Sequence, residues 1–198
     1  MALSGPVARM SHAEYLEQEE RSETRHEFLR GEVYAMSGGT PAHSALAAVL
    51  IAELSAALRG KPCRVFTSDL RVHIPGTGLT TYPDLSVVCG GLETHPEDPN
   101  AVTNPLVLVE VLSDSSEAYD RGPKAAHYRK LASLREYLLV SQREPRLELF
   151  RRNERGIWEL YEAGAGEAIE LASLGVKLSV DTVYHDPFAP AGAAARQG

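Results

Sequence analysis

The sequence predicts one α/β domain, with a mixed central β-sheet flanked by helices and additional strands at its N-terminal and C-terminal ends. Three observations carry this. Helical patterns at 44–58 and 120–133 enclose a block rich in strand signals. LVLVEVL (106–112) is apolar on both faces, which places it in the middle of a sheet. Neither an internal repeat nor a linker divides the 198 residues, a length suited to one domain. The domain is expected to span 1–188, followed by a disordered tail at 189–198 that is rich in Ala and Gly.

The elements follow in order. Ser11 and Glu14 have capping-box spacing, so a short helix opens there and runs to about residue 20. HEFLRGEVYAM (26–36) reads as two strands turning at Arg30-Gly31. GGTPAH (38–43) is a loop, and it lacks the GxxxxGK[ST] pattern of a phosphate-binding loop. From Ser44 to Leu58 the residues Leu46, Val49, Leu50, Leu54 and Leu58 recur at helical spacing, and Gly60 and Pro62 stop the helix. Strands follow at 63–68, 70–74 and 84–89, then a loop at 90–104 and the apolar strand at 106–112. DRGPKAAHYRKLAS (120–133) reads as a helix, with Pro123 tolerated in its first turn. EYLLVS (136–141) is a further strand, and 146–151 with 157–161 forms a hairpin.

Composition narrows the class. Hydrophobic residues make up 43% and charged residues 24%, which is ordinary for a chain that buries a core. No apolar run approaches the ~18 residues of a bilayer span, and no secretory apolar segment stands at the N-terminus, so a cytoplasmic protein without a membrane partner is expected. Cys63 and Cys89 have no CxxC partner and are expected as buried free thiols. The net charge of −7 argues against a wholly basic nucleic-acid surface. Charge is uneven, however: residues 14–32 hold seven glutamates, whereas 121–135 hold five Lys or Arg and no acid. Such a local basic face can meet a phosphate backbone.

Chemistry concentrates in three residues. Asp84 opens a strand directly after Pro83. Glu110 is a lone carboxylate in an apolar strand, costly to bury unless paired or metal-bound. Alternation puts it on one face with Leu106, Leu108 and Leu112. Lys124 lies early on the basic helix that follows. Two carboxylates can hold a hard cation such as Mg²⁺ or Mn²⁺, and a nearby ammonium can orient water and offset charge on a phosphate.

PDLSVV (83–88), LVLVEVLSDSS (106–116) and DRGPKAAHYRKLASLREYLLVS (120–141) resemble the Uma-type bacterial family of endonucleases, a branch of the PD-(D/E)xK superfamily. FLRGEVYAMSGGTPAHS (28–44) matches its Gly-Glu hairpin and following histidine, and the resemblance covers about residues 12–188. It implies a restriction-endonuclease-like core, with Asp84, Glu110 and the Val111 carbonyl as metal ligands and Lys124 as the catalytic lysine. It also suggests Glu32 as an auxiliary acid. The superfamily's usual lysine position, two residues after the acid, is Leu112 here, so the lysine has moved to the next helix. Ser141-Gln142 stands where relatives often carry an acid. The implied function is endonucleolytic cleavage of phosphodiester bonds, in DNA, by a homodimer. The alternative is a non-catalytic module that binds a metal or a partner. Asp69 is expected in a turn rather than facing the site, His43 at a helix start where it either caps and packs or contacts phosphate, and Tyr128 in packing on the Lys124 face of the helix. Ser113–Ser116 lacks the context of a nucleophilic serine.

Overall fold

The computed structural model describes residue 6, residues 8–36 and residues 38–188, so the tail expected at 189–198 lies outside the described residues. The chain opens with β1 (Ala8–Arg9) and α1 (His12–Glu19), whose capping box pairs Ser11 with Glu14 as the spacing predicts. β2 (His26–Leu29) and β3 (Glu32–Ala35) form the hairpin, and Arg30 and Gly31 both take positive φ at its turn.

Helix α2 (Pro41–Ala57) begins three residues before the predicted start. Pro41 sits at the first helical position, where its missing N–H costs nothing, and the Thr40 hydroxyl caps the His43 N–H. β4 (Cys63–Thr67), β5 (Arg71–Ile74), β6 (Leu79–Thr81) and β7 (Leu85–Cys89) follow. The expected loop at 90–104 instead contains β8 (Thr94–His95) and β9 (Asp98–Val102). β9 carries Pro99, a residue that argues against a strand, but its ladder to β5 runs through Ala101 and Val102.

After β10 (Val107–Val111), the expected helix at 120–133 is shorter and irregular. It consists of α3 (Glu117–Tyr119), a π-helical turn (Asp120–Lys124) and α4 (Ala125–Tyr128). Pro123 has no N–H for the ordinary four-residue bond, and a π turn accommodates that gap. β11 (Glu136–Val140), β12 (Arg146–Arg152), β13 (Trp158–Gly164), β14 (Ala168–Leu171), β15 (Val176–Ser179) and α5 (Val180–Val183) complete the chain.

Two larger sheets share the work that one central sheet was expected to do. A six-stranded sheet has the order β13-β12-β11-β10-β7-β4, and a seven-stranded sheet has the order β1-β3-β2-β6-β5-β9-β8. In the six-stranded sheet β10 and β11 are parallel and the other pairs antiparallel, so it is mixed. Its strand β10 divides two cores. Val107, Val109 and Val111 pack with Leu50, Leu54 and Leu58 of the α2 region. Leu108 and Leu112 pack with Tyr128, Leu131 and Leu134, and with Val72, Ile74 and Leu79 of the other sheet. The second core thus joins both sheets to the π-turn segment, and Glu110 lies on its side of β10.

The cysteine expectation is corrected. Cys63 and Cys89 face each other in the β4–β7 register and form a disulfide. Their 26-residue separation conceals a pairing that only the strand register reveals.

Candidate active site

The β7–β10 register pairs Leu85 with Val109, so Asp84, the residue just before β7, stands at the Glu110–Val111 end of β10. The Val111 N–H donates to Asp84 Oδ2 at 2.7 Å, and His43 Nε2 lies 3.0 Å from the same oxygen. Strand register fixes the acid pair, and the first turn of α2 brings the imidazole.

Glu110 is 4% exposed. The Tyr128 hydroxyl donates to its Oε1 at 2.6 Å, and Lys124 Nζ stands 2.8 Å from that oxygen. Lys124 is itself buried, because the π turn directs it and Asp120 inward. Its ammonium also lies 3.4 Å from Glu27 Oε1 and 3.6 Å from Asp120 Oδ1. Glu27 comes from β2 in the other sheet, where it accepts from the Thr81 and Tyr119 hydroxyls. Leu112, at the superfamily's usual lysine position, is buried in the core and reaches no acid by its chemistry. The only buried lysine among the described residues is the one from the π turn.

Electrostatics follow from this crowding. Burial pushes the Glu110 carboxyl upward; Lys124 opposes that, while Asp120 and Asp84 add to it. Burial works to strip the Lys124 proton, but Glu110, Glu27 and Asp120 outweigh it and hold the ammonium well above the ordinary lysine range. The hydrogen bond to Asp84 raises His43 against the opposing effect of burial.

Two carboxylate oxygens of the pair are left open to a ligand. The second oxygens, Asp84 Oδ1 and Glu110 Oε2, take no hydrogen bond from the described residues. Among those residues, no trio of His, Cys or acid side chains that includes Asp84 or Glu110 brings its ligand atoms within 4.8 Å of one another.

Glu32 is not brought to this cluster. It shares a sheet face with Glu27, but it lies at the turn end of the hairpin, opposite Leu29. There it bonds the Arg9 guanidinium at 2.7 Å and the Tyr34 hydroxyl at 2.6 Å. The acid that the hairpin contributes is Glu27, which the sequence reading missed. Two glutamates compete in that motif, and only the β2–β6 pairing separates them. Tyr128 proves to be both packed and bonded to Glu110. Asp69 stands in the β4–β5 turn, where it accepts from the Thr67 hydroxyl and pairs with Arg25.

An acid pair on adjacent strands of a mixed sheet, served by a lysine from the next helical segment, defines a protein of the restriction-endonuclease-like class. The comparisons agree. The model of the Uma2 family, described as "Putative restriction endonuclease", matches residues 12–182, and the chain belongs to that family. Two uncharacterised proteins of Synechocystis are similar to it. One is 38% identical over 184 residues, covering 91% of this chain and 94% of that protein. The other is 32% identical over 162 residues, covering 82% and 91%. The crystal structure of a "putative nuclease belonging to DUF820" from Anabaena variabilis shares the fold, with a TM-score of 0.70 at 16% identity. That match covers 90% of this chain and 98% of the other.

Proposed function

We propose that the protein is a metal-dependent endonuclease that hydrolyses phosphodiester bonds in DNA. The observation that carries this reading is a charge imbalance. The side chains of Glu27, Glu110 and Asp120 are at most 5% exposed and face a single ammonium, with Asp84 beside Glu110. Buried carboxylates in excess of their cations call for a further positive charge.

Asp84, Glu110 and the Val111 carbonyl would hold Mg²⁺ or Mn²⁺. Such an ion supplies Lewis-acid charge for the phosphate and acidity for water when bound. The chain's own groups do the rest. Lys124 donates hydrogen bonds to the attacking water and to the phosphate oxygens as charge builds there. Glu27 and Asp120 keep it protonated and aimed. Tyr128 restrains Glu110 in one orientation. His43, whose pKa Asp84 raises, stands in the first turn of α2, where the helix dipole favours an anion. Nearby, Thr40 binds Gln142 Oε1 at 2.7 Å, and the buried Gln142 Nε2 has no partner. That amide is a neutral donor that a phosphate oxygen would satisfy.

Arg121 is tied to Glu117 and Glu148, so it does not serve the backbone. Arg129, Lys130 and Arg135 are exposed and form the basic surface for DNA. A double-strand cut needs two such sites, hence a homodimer. No helix among the described residues is long and apolar enough to cross a membrane. A cytoplasmic setting suits a DNA substrate; the Cys63–Cys89 bridge would meet reductant there, and the β4–β7 ladder pairs the strands without it.

The test is plasmid cleavage with Mg²⁺ or Mn²⁺, repeated with EDTA and with Lys124→Ala, and run in parallel on RNA and single-stranded DNA. Cleavage that requires metal and falls at least ~100-fold in Lys124→Ala supports the reading. Undiminished cleavage in the variant sinks the catalytic assignment. The net charge of −7 favours a second reading, a non-catalytic metal- or partner-binding module. Metal binding without cleavage of any of these substrates would select it.

A further inference from the structure

A second cluster of ligand-bearing side chains lies on the far face of the seven-stranded sheet. Thr81 on β6 points toward Glu27 and Lys124; its neighbour Thr80 points the other way, toward His73 and Phe28. On that far side His12 from α1, His73 from β5 and His95 from β8 converge. Their ring centroids are 5.5 Å apart for His12 and His73, 5.1 Å for His12 and His95, and 4.3 Å for His73 and His95. Glu97, from the β8–β9 turn, completes the group. The ligand atoms of His12, His95 and Glu97 all lie within 4.8 Å of one another.

We propose that His12, His95 and Glu97 form a second metal site, for a borderline transition-metal ion such as Zn²⁺, distinct from the Asp84–Glu110 pair. The donor chemistry distinguishes the two. Imidazole suits Zn²⁺, Cu²⁺ and Ni²⁺, whereas an all-oxygen site suits Mg²⁺ or Mn²⁺. Tetrahedral ligands on zinc sit roughly 3.4 Å apart, so these three need only small side-chain rotations to close on an ion. Two histidines and a glutamate with an open fourth position are a recurrent zinc set.

The surroundings support the assignment. The buried Thr80 hydroxyl lies 3.3 Å from His12 Nε2 and 2.8 Å from His73 Nδ1. It orients His12 through one nitrogen and leaves Nδ1, 3.8 Å from Glu97 Oε2, for the metal. The nearest buried acid, Asp98, is taken by Arg71 in two 2.7 Å hydrogen bonds, so it does not compete. An ion here would tie the first residue of α1 to the β8–β9 turn, bracing the sheet that carries Glu27 and Thr81.

Zinc titration of the full chain by calorimetry, with parallel thermal melts, tests this. The expected result is one tight equivalent in the presence of excess Mg²⁺ and a raised melting temperature. His95→Ala should weaken binding at least ~10-fold, and so should Glu97→Gln, whose exposed position spares the fold. Asp84→Asn should leave zinc binding unchanged. The proposal is overturned if no zinc binds, or if both rim variants bind as the parent does. It is also overturned if Asp84→Asn abolishes binding, which would place zinc at the other site. None of these outcomes bears on whether Asp84 and Glu110 support cleavage.

Discussion

Lys124 faces three buried acids, and its removal has two separable effects. Lys124→Ala leaves Glu110, Glu27 and Asp120 buried without their cation, so we expect a destabilisation of about 3–5 kcal/mol in metal-free buffer. Mg²⁺ should restore part of that stability without restoring cleavage, which urea melts with and without the ion would show. The two hairpin glutamates give a second comparison. Glu27→Gln should reduce cleavage at least ~10-fold, whereas Glu32→Gln, held near the surface by Arg9 and Tyr34, should stay within about twofold. Equal losses would put Glu32 back in the site. At this scale Asp84 and Glu110 could be named as candidates from the sequence, because a strand-opening aspartate and a lone acid in an apolar strand both stand out. Lys124 was legible only through the family resemblance. Glu27, the pairing of His43 with Asp84 and the Tyr128 hydroxyl were not, since each depends on a contact between distant segments.

Among the elements, the π turn positions the ammonium, and Pro123 is its cause. Pro123→Ala permits a regular helix, which rotates Lys124 away from Glu110. Cleavage should fall about 10–100-fold while stability holds or rises, to be checked by kinetics alongside thermal melts. Full activity would remove the proline from the account. The β4–β7 staple is the other element-level feature. Reducing Cys63–Cys89 should cost roughly 2–4 kcal/mol by freeing the unfolded chain, measured as a lower urea midpoint. Most strands were legible from apolar runs and turn residues. The 90–104 segment was not, because Gly, Pro and acids hide two short strands whose pairing comes from elsewhere. The 120–133 helix was overread, since Gly122-Pro123 breaks the pattern and Leu131 and Leu134 already belong to the core beyond it.

For the whole molecule, an acidic protein that engages DNA must do so through a restricted surface. Lys130→Ala should weaken DNA binding across sequences and reduce the slope of log affinity against log salt by about one phosphate contact. An unchanged slope would move the DNA surface elsewhere. The α/β class and the mixed character of the central sheet were legible; the division of strands into two sheets was not, because apolar runs do not say which strand they will pair with. That division matters, since Glu27 reaches the site from the second sheet. The central claim is that these two sheets assemble a metal-dependent site at Asp84, Glu110 and Lys124. Anomalous diffraction from Mn²⁺-soaked crystals tests it most directly. The account predicts a peak bounded by Asp84 and Glu110, with the Lys124 ammonium a few ångströms away. A peak only at His12, His95 and Glu97, or none near Asp84, would contradict it.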